Sequence, residues 1–168
     1  AGANTTLIVG NPAYGVPTAT TEVVDSSVIA RIQMMAVPVG MVVNKISTEI
    51  TSVTGIGSFR LGIYSGTGQT QVTSVLFGSV ASNGVLSSVV SSVALNAGIY
   101  YNVLTPIDGT ATFRSYTVTN PALSASVTGK AVYTGATSVI GGALPTNFNP
   151  TTLVPWVNNE SIPLRFDN

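Results

Sequence analysis

The feature of this sequence that most restricts its fold is a succession of short β-branched and aromatic runs, separated by Gly, Asn and Ser, that begins at Val28. No segment has the 3.6-residue spacing of apolar residues, with flanking caps, that an amphipathic helix requires. Short runs bounded by turn-forming residues are typical of strands. The sequence therefore predicts a body made almost entirely of β-strands.

Turn-forming residues divide this body into about seven or eight strands at short spacing. Asn83-Gly84 is the strongest hairpin signal, because both residues tolerate the positive φ of a type I′ turn, and it is predicted to join strands at 72–81 and 85–95. Many short strands at such spacing are typical of sandwiches and jelly rolls. We therefore expect an all-β, jelly-roll-like antiparallel β-sandwich.

Three regions differ in composition along the 168 residues, a length that suits one domain. Residues 1–27 mix Gly, Pro and Thr without periodicity and predict an extended N-terminal arm with a short strand at 7–9 at most. Residues 28–140 form the predicted sandwich body. Residues 141–168 contain four prolines, which predicts an extended C-terminal arm with a possible edge strand at 162–166.

The chain carries very little charge. Only 7% of its residues are charged, against about 25% in ordinary domains, while 45% are hydrophobic. Six basic and six acidic residues give a formal net charge of zero, and near-zero net charge favours association. The six cations are scattered rather than clustered, which argues against nucleic-acid binding.

The residues needed for catalysis are scarce. The absence of Cys and His removes thiol chemistry, disulfides, the usual zinc ligand sets and every imidazole-based mechanism. Glu22 and Asp25 form the closest acidic pair, but a flexible arm cannot hold two carboxylates in register. Glu49, four residues after Lys45 on the same strand face, predicts an exposed ion pair. We therefore expect no enzyme activity and no cofactor.

Metal binding and membrane insertion are also disfavoured. Asp108 is the single carboxylate in a predicted loop of the body, which is too few for a calcium site. The longest apolar stretch, residues 34–43, is interrupted by Pro38 and Gly40 and falls short of the ~20 residues that span a bilayer. The sequence predicts neither a metal site nor a membrane span.

Residues near the chain ends are the candidates for contact with a partner. A large aromatic side chain on an extended arm usually inserts into a pocket, which makes Trp156 the strongest of them. The full set of interface candidates is Trp156, Tyr14, Pro155, Phe166 and Arg165.

Tyrosines of the predicted body could have a different role. An aromatic ring can cover the apolar side of a pyranose, so Tyr64 and Tyr116 are candidates for glycan contact, whereas Tyr100 and Tyr101 are expected in the core. Binding of this kind would use the loops at 66–71, 107–110 and 118–123.

Several motifs between residues 28 and 168 resemble a module that recurs in phage tail-fibre, head-fibre and other virion surface proteins. The matching segments are Val37-Pro38-Val39, Ile46-Ser47-Thr48-Glu49-Ile50-Thr51, Arg60-Leu61-Gly62-Ile63-Tyr64, Leu95-Asn96-Ala97-Gly98-Ile99-Tyr100-Tyr101, Leu144-Pro145 and Pro163-Leu164-Arg165. The chain contains no coiled-coil segment or long shaft, so the resemblance is not to a whole fibre.

This resemblance implies a jelly-roll-like sandwich on the surface of a virus particle. The function we expect is a capsid decoration, or cement, protein that binds the major capsid protein. The alternative is a tail-fibre or receptor-binding head that recognises host surface carbohydrate, and a glycan-cleaving spike ranks last. A homo-oligomer, either a trimer or a dimer, is expected in each case because such proteins sit on symmetric supports.

Overall fold

A computed structural model describes residues 6–9, 16–25, 31–67, 69–119, 132–134, 144, 147, 154–155 and 160–168. These residues contain strands and turns and no helix, so the predicted all-β class is confirmed. The strands are β1 (Thr6–Val9), β2 (Val16–Asp25), β3 (Arg31–Val37), β4 (Met41–Ser65), β5 (Gln71–Val80), β6 (Gly84–Leu95), β7 (Gly98–Thr119), β8 (Val132–Thr134), β9 (Val154–Pro155), β10 (Glu160–Ser161) and β11 (Leu164–Asp167).

All of these strands belong to one large antiparallel sheet with the order β1-β11-β4-β7-β3-β8-β9. In addition, β2 and β10 pair with β7, and β5 and β6 pair with β4. The two longest strands, β4 and β7, therefore organise the whole sheet. Ile99–Leu104 lies between β3 and β4 and is therefore a central part of the sheet.

Both long strands bend where they pass each other. The pairing of β4 with β7 shifts register between Thr54 and Ser58, and Gly55 has a φ of 73°. Gly109 in β7 has a φ of 70°, and a Cβ built on it would lie 2.6 Å from the Cα of Gly57. Only glycine fits a backbone that is both left-handed and this close to its neighbour.

The two turn predictions have different outcomes. Residues 81–83 connect β5 to β6 as expected, yet both strands pair with β4, and no pairing joins them to each other. Asp108-Gly109 lies in the loop predicted at 107–110, but β7 continues through this dipeptide and bends there. A turn dipeptide reports a local change of direction and does not specify which strand becomes the neighbour.

Segments expected as arms contribute to the sheet. β2 pairs with β7 over its whole length, although residues 1–27 were expected to be an extended arm. At the other end of the chain, β11 lies between β1 and β4 and is an interior strand rather than the expected edge strand. Long-range pairing therefore overrides the irregular composition of both ends.

The main hydrophobic core lies against one face of the sheet and includes the bends of the long strands. Phe59 and Phe113 contact each other edge to face, with ring centroids 5.3 Å apart. The buried members of this core are Met35, Val37, Val43, Ile46, Ile50, Phe59, Leu61, Ile63, Val75, Phe77, Val80, Val90, Leu95, Leu104, Ala111, Phe113, Ile162, Leu164 and Phe166.

A second, smaller cluster covers the opposite face of the same sheet. Ile32, Tyr64 and Val103 are buried there, with Tyr101 and Leu144 partly buried against them. Successive side chains of a strand point to opposite faces, so neighbouring residues in β4 and β7 supply different clusters. This part of the sheet is therefore covered on both sides.

Candidate interaction surface

The two most exposed apolar residues of the described strands, Val85 and Val89, lie on β6. Val85 and Val89 are 71% and 79% exposed, and Val42 is 40% exposed. Val85, Ser87 and Val89 are spaced two apart and therefore share the outward face of β6. We call these three side chains the β6 ridge. A valine at this exposure gains little from folding, so the ridge is available for contact with another molecule.

Polar side chains of β4 lie directly beside the ridge. The register places Lys45 opposite Val89, Ser47 opposite Ser87 and Glu49 opposite Val85. The hydroxyls of Ser47 and Ser87 are 2.8 Å apart and share a hydrogen bond. The ridge is thus backed by a row of polar groups on the same face of the sheet.

The charges beside the ridge are neutralised within the chain. The Nε and Nη2 atoms of Arg114 each donate to a carboxylate oxygen of Glu49 at 3.3 Å. Lys45 Nζ lies 3.9 Å from Asp167 Oδ2, and Arg165 Nε donates to Asp167 Oδ1 at 3.0 Å. The predicted Lys45–Glu49 ion pair is replaced by these cross-strand pairs.

Among these charged residues, Asp167 is the buried one. It is 8% exposed, and its Oδ1 accepts a hydrogen bond from the Thr6 hydroxyl at 2.6 Å. The Thr6 hydrogen bond, together with Arg165 and Lys45, holds the pKa of Asp167 below its usual value, although burial acts in the opposite direction. Asp167 therefore stays ionised and ties β1, β4 and β11 together.

The two glycan-contact candidates have different outcomes. Tyr64 is fully buried, and burial raises the pKa of its phenol to about 12, so its ring has no surface to offer a sugar. The backbone of Tyr116 pairs with Ala19 and Ser161 in the sheet, and its side chain lies outside the described residues. The alternation of residues in β4 suggested an exposed Tyr64, but the second cluster covers that face.

The interface candidates fall into three groups. Phe166 is fully buried in the main core of its own chain, so it is not an exposed anchor. The side chain of Arg165 is 55% exposed and pairs with Asp167. Pro155 takes part in β9 through its backbone, while Tyr14 and Trp156 lie outside the described residues.

The β6 ridge was not predicted from the sequence. Its signal was the alternation of Val85, Ser87 and Val89, which predicts a strand with one small-residue outward face. What the sequence alone could not show is that, among the described residues, β6 pairs with another strand on one side only.

Two of the three loops expected to bind glycan offer few contacts in their described residues, whereas residues 120–123 of the third lie outside the described part of the chain. In the turn after β4, Gln69 Nε2 donates to the carbonyl of Gly66 at 2.7 Å, so this amide is used within the loop. Residues 107–110 belong to β7. A shallow polar depression beside the β5–β6 connection contains no aromatic or charged side chain, and it is lined by Thr51, Ser52, Val53, Ala81, Ser82 and Asn83.

The described part of the chain contains neither a candidate metal site nor a candidate membrane-spanning helix. No three His, Cys, Asp or Glu residues there come close enough to hold a metal ion together. Nor does any helix within those residues have the length and apolar character to cross a membrane.

Comparison with known proteins does not assign this chain to a family. Neither the models of known protein families nor the curated proteins contain a match to this chain.

Proposed function

We propose that this protein is a non-enzymatic structural component of a bacteriophage particle, a capsid decoration protein on the particle surface that binds the major capsid protein. The proposal starts from the motif resemblance between residues 28 and 168. The observation that supports it best is the character of the outer surface: exposed valines on regular strands, beside charges that are already paired within the chain.

Such a surface suits docking onto a large, flat protein lattice. The charged groups beside the ridge already have partners within the chain, so binding through the neutral valine surface need not bury an unpaired charge, and burial of that surface contributes the favourable free energy. The neutral net charge also removes long-range repulsion between many copies on one particle.

A jelly-roll-like, two-layer arrangement is the finer fold that we propose with this function. It accounts for the bends at Gly55 and Gly109, because each long strand changes its neighbours there. β7 pairs with β4 on both sides of the bend, but the other neighbours change. β4 pairs with β6 and β11 before Gly55 and with β5 after it, and β7 pairs with β3 before Gly109 and with β2 after it. A long strand that turns a corner in this way can contribute to both layers.

The experiment is cryo-electron microscopy of the parent virions, together with particles lacking this protein. Density repeated over the icosahedral lattice, lost in the deficient particles and restored by adding purified protein, is the expected result. Density confined to the tail tip would support the carbohydrate-binding alternative, and absence from the virion would refute both. A panel of host polysaccharides, tested against the purified protein, separates the two directly.

A further inference from the structure

Strand β6 has an edge that the fold leaves open. Within the described residues it pairs with β4 along one side, and no strand pairs with its other side. The strand runs from Gly84 to Leu95, long enough to offer a row of unpaired backbone N–H and C=O groups. An edge of this length is a template for another strand.

The usual protection of an edge strand is missing here. Natural edges carry Lys, Pro or inward-pointing charges that prevent pairing with a second chain. From Gln71 to Leu95 the sequence contains no charged residue and no proline. One irregularity is present: between the pairs Val43–Val93 and Lys45–Val89, β6 advances by two residues more than β4. Residues 84–89 precede it and are regular.

We propose that the β6 edge binds the β6 edge of a second copy of this chain, antiparallel and centred on Ser87. Two antiparallel strands related by a two-fold axis perpendicular to the sheet place side chains of the same face opposite each other. Centring on Ser87 places Val85 opposite Val89 of the second copy, and Val89 opposite its Val85.

This register covers the most exposed part of the ridge. Val85 and Val89, at 71% and 79% exposure, become two cross-strand valine pairs, which are favourable contacts in an antiparallel ladder. The backbone groups of two edges gain hydrogen-bond partners at the same time. Once two copies have paired, the β6 edge of each is occupied and no edge is left for a third copy. The proposal therefore favours the dimer over the trimer.

Charge supports a second copy as the occupant. In a two-fold interface every side chain meets residues of the same strand, so an edge carrying charges of one sign would meet the same sign on the second copy. The β6 ridge is neutral, and the charges behind it on β4, Lys45 and Glu49, are paired with Asp167 and Arg114. The inference does not depend on the particle proposal, because it concerns the chain by itself.

The test is the monomer–dimer equilibrium of the whole chain, measured by sedimentation velocity over a range of concentrations. V85K places a lysine opposite Glu49 of the same chain, and V89E places a glutamate opposite Lys45, so each monomer tolerates its new charge. Each single variant removes both valine pairs from the dimer, and we expect each to weaken dimerisation by about tenfold or more. Circular dichroism confirms that the variants are folded.

The double variant V85K/V89E tests the register. At the interface each introduced lysine faces the introduced glutamate of the other copy, so the double variant should dimerise more tightly than either single variant. V39K is the matched control, because Val39 is 73% exposed but lies between β3 and β4, away from the ridge. It should dimerise like the wild type.

Hydrogen exchange gives a readout that needs no substitution. Amides of residues 84–90 should become more protected as the protein concentration rises, while those of the 38–40 turn should not. A wild-type chain that stays monomeric, or forms trimers, overturns the inference. So does a dimer that V85K and V89E leave unchanged.

Discussion

At the scale of single residues, the strongest electrostatic feature is the carboxylate of Asp167. Its pKa is lowered in the folded chain by the Thr6 hydrogen bond, with Arg165 and Lys45 contributing. The folded state therefore binds this proton less readily than the unfolded state. The stabilisation is fully present above the unfolded pKa, near 3.8, and is lost as the pH falls through the folded pKa.

We predict that D167N lowers the free energy of unfolding at neutral pH by about 1–3 kcal/mol, because charge-assisted hydrogen bonds in a nearly buried site are lost. The difference should shrink as the pH is lowered from 5 towards 2. Urea unfolding at several pH values measures this, with D108N at an exposed carboxylate as the control. Parallel pH profiles for wild type and D167N would contradict the assignment.

The residues of β4 show how far burial at single positions can be predicted from a sequence. Phe59, Leu61 and Ile63 alternate along β4 and all lie in the main core, because strand periodicity specifies which residues share a face. Periodicity does not show that the other face is covered as well, because that depends on Leu144, which is far away in the sequence. Tyr64 is buried for this reason.

At the scale of elements, the bends in β4 and β7 are the features that glycine makes possible. Gly55 and Gly109 both have left-handed backbones, yet their surroundings differ. A Cβ on Gly55 would meet nothing within 4 Å, whereas a Cβ on Gly109 would lie 2.7 Å from the carbonyl oxygen of Ile56. An alanine at Gly55 therefore introduces backbone strain alone, whereas an alanine at Gly109 introduces the same strain and a steric clash as well.

We predict that G55A lowers the free energy of unfolding by about 1–2 kcal/mol, the cost of a left-handed alanine. G109A should lower it by about 3 kcal/mol or more, because the clash with the backbone of β4 adds to that strain. Chemical denaturation of both variants provides the comparison. Equal losses would show that the two strands do not cross as closely as described.

Local signals predicted these elements only in part. The residues of β5 and β6 were predicted closely, because β-branched runs and turn residues are properties of neighbouring positions. Their pairing was not predicted: Asn83-Gly84 connects two strands that each pair with β4, and Asp108-Gly109 marks a bend within β7. A continuous β4 of 25 residues exceeds the usual strand length, so such a strand is not expected from a sequence. Partner choice is set by tertiary packing.

At the scale of the whole molecule, the two ends of the chain meet inside the sheet. Thr6 pairs with Asp167, and Phe166 of β11 pairs with Ile46 in β4. Gln33 adds a link, because its side-chain amide donates to the carbonyl of Ile162 and accepts from the N–H of the same residue. The C-terminal strand is therefore part of the core rather than an appended arm.

This architecture makes the described sheet one cooperative unit, and Phe166 is the residue at which to test it. Because its ring is fully buried in the main core, F166A should lower the free energy of unfolding by about 3–5 kcal/mol. Far-UV and near-UV circular dichroism should still report one coincident transition, since the core joins strands from both ends of the chain. V39A, at an exposed position, should change stability by less than about 0.5 kcal/mol. Separate transitions would instead mean that the terminal strands form a unit that unfolds independently of the bends in β4 and β7.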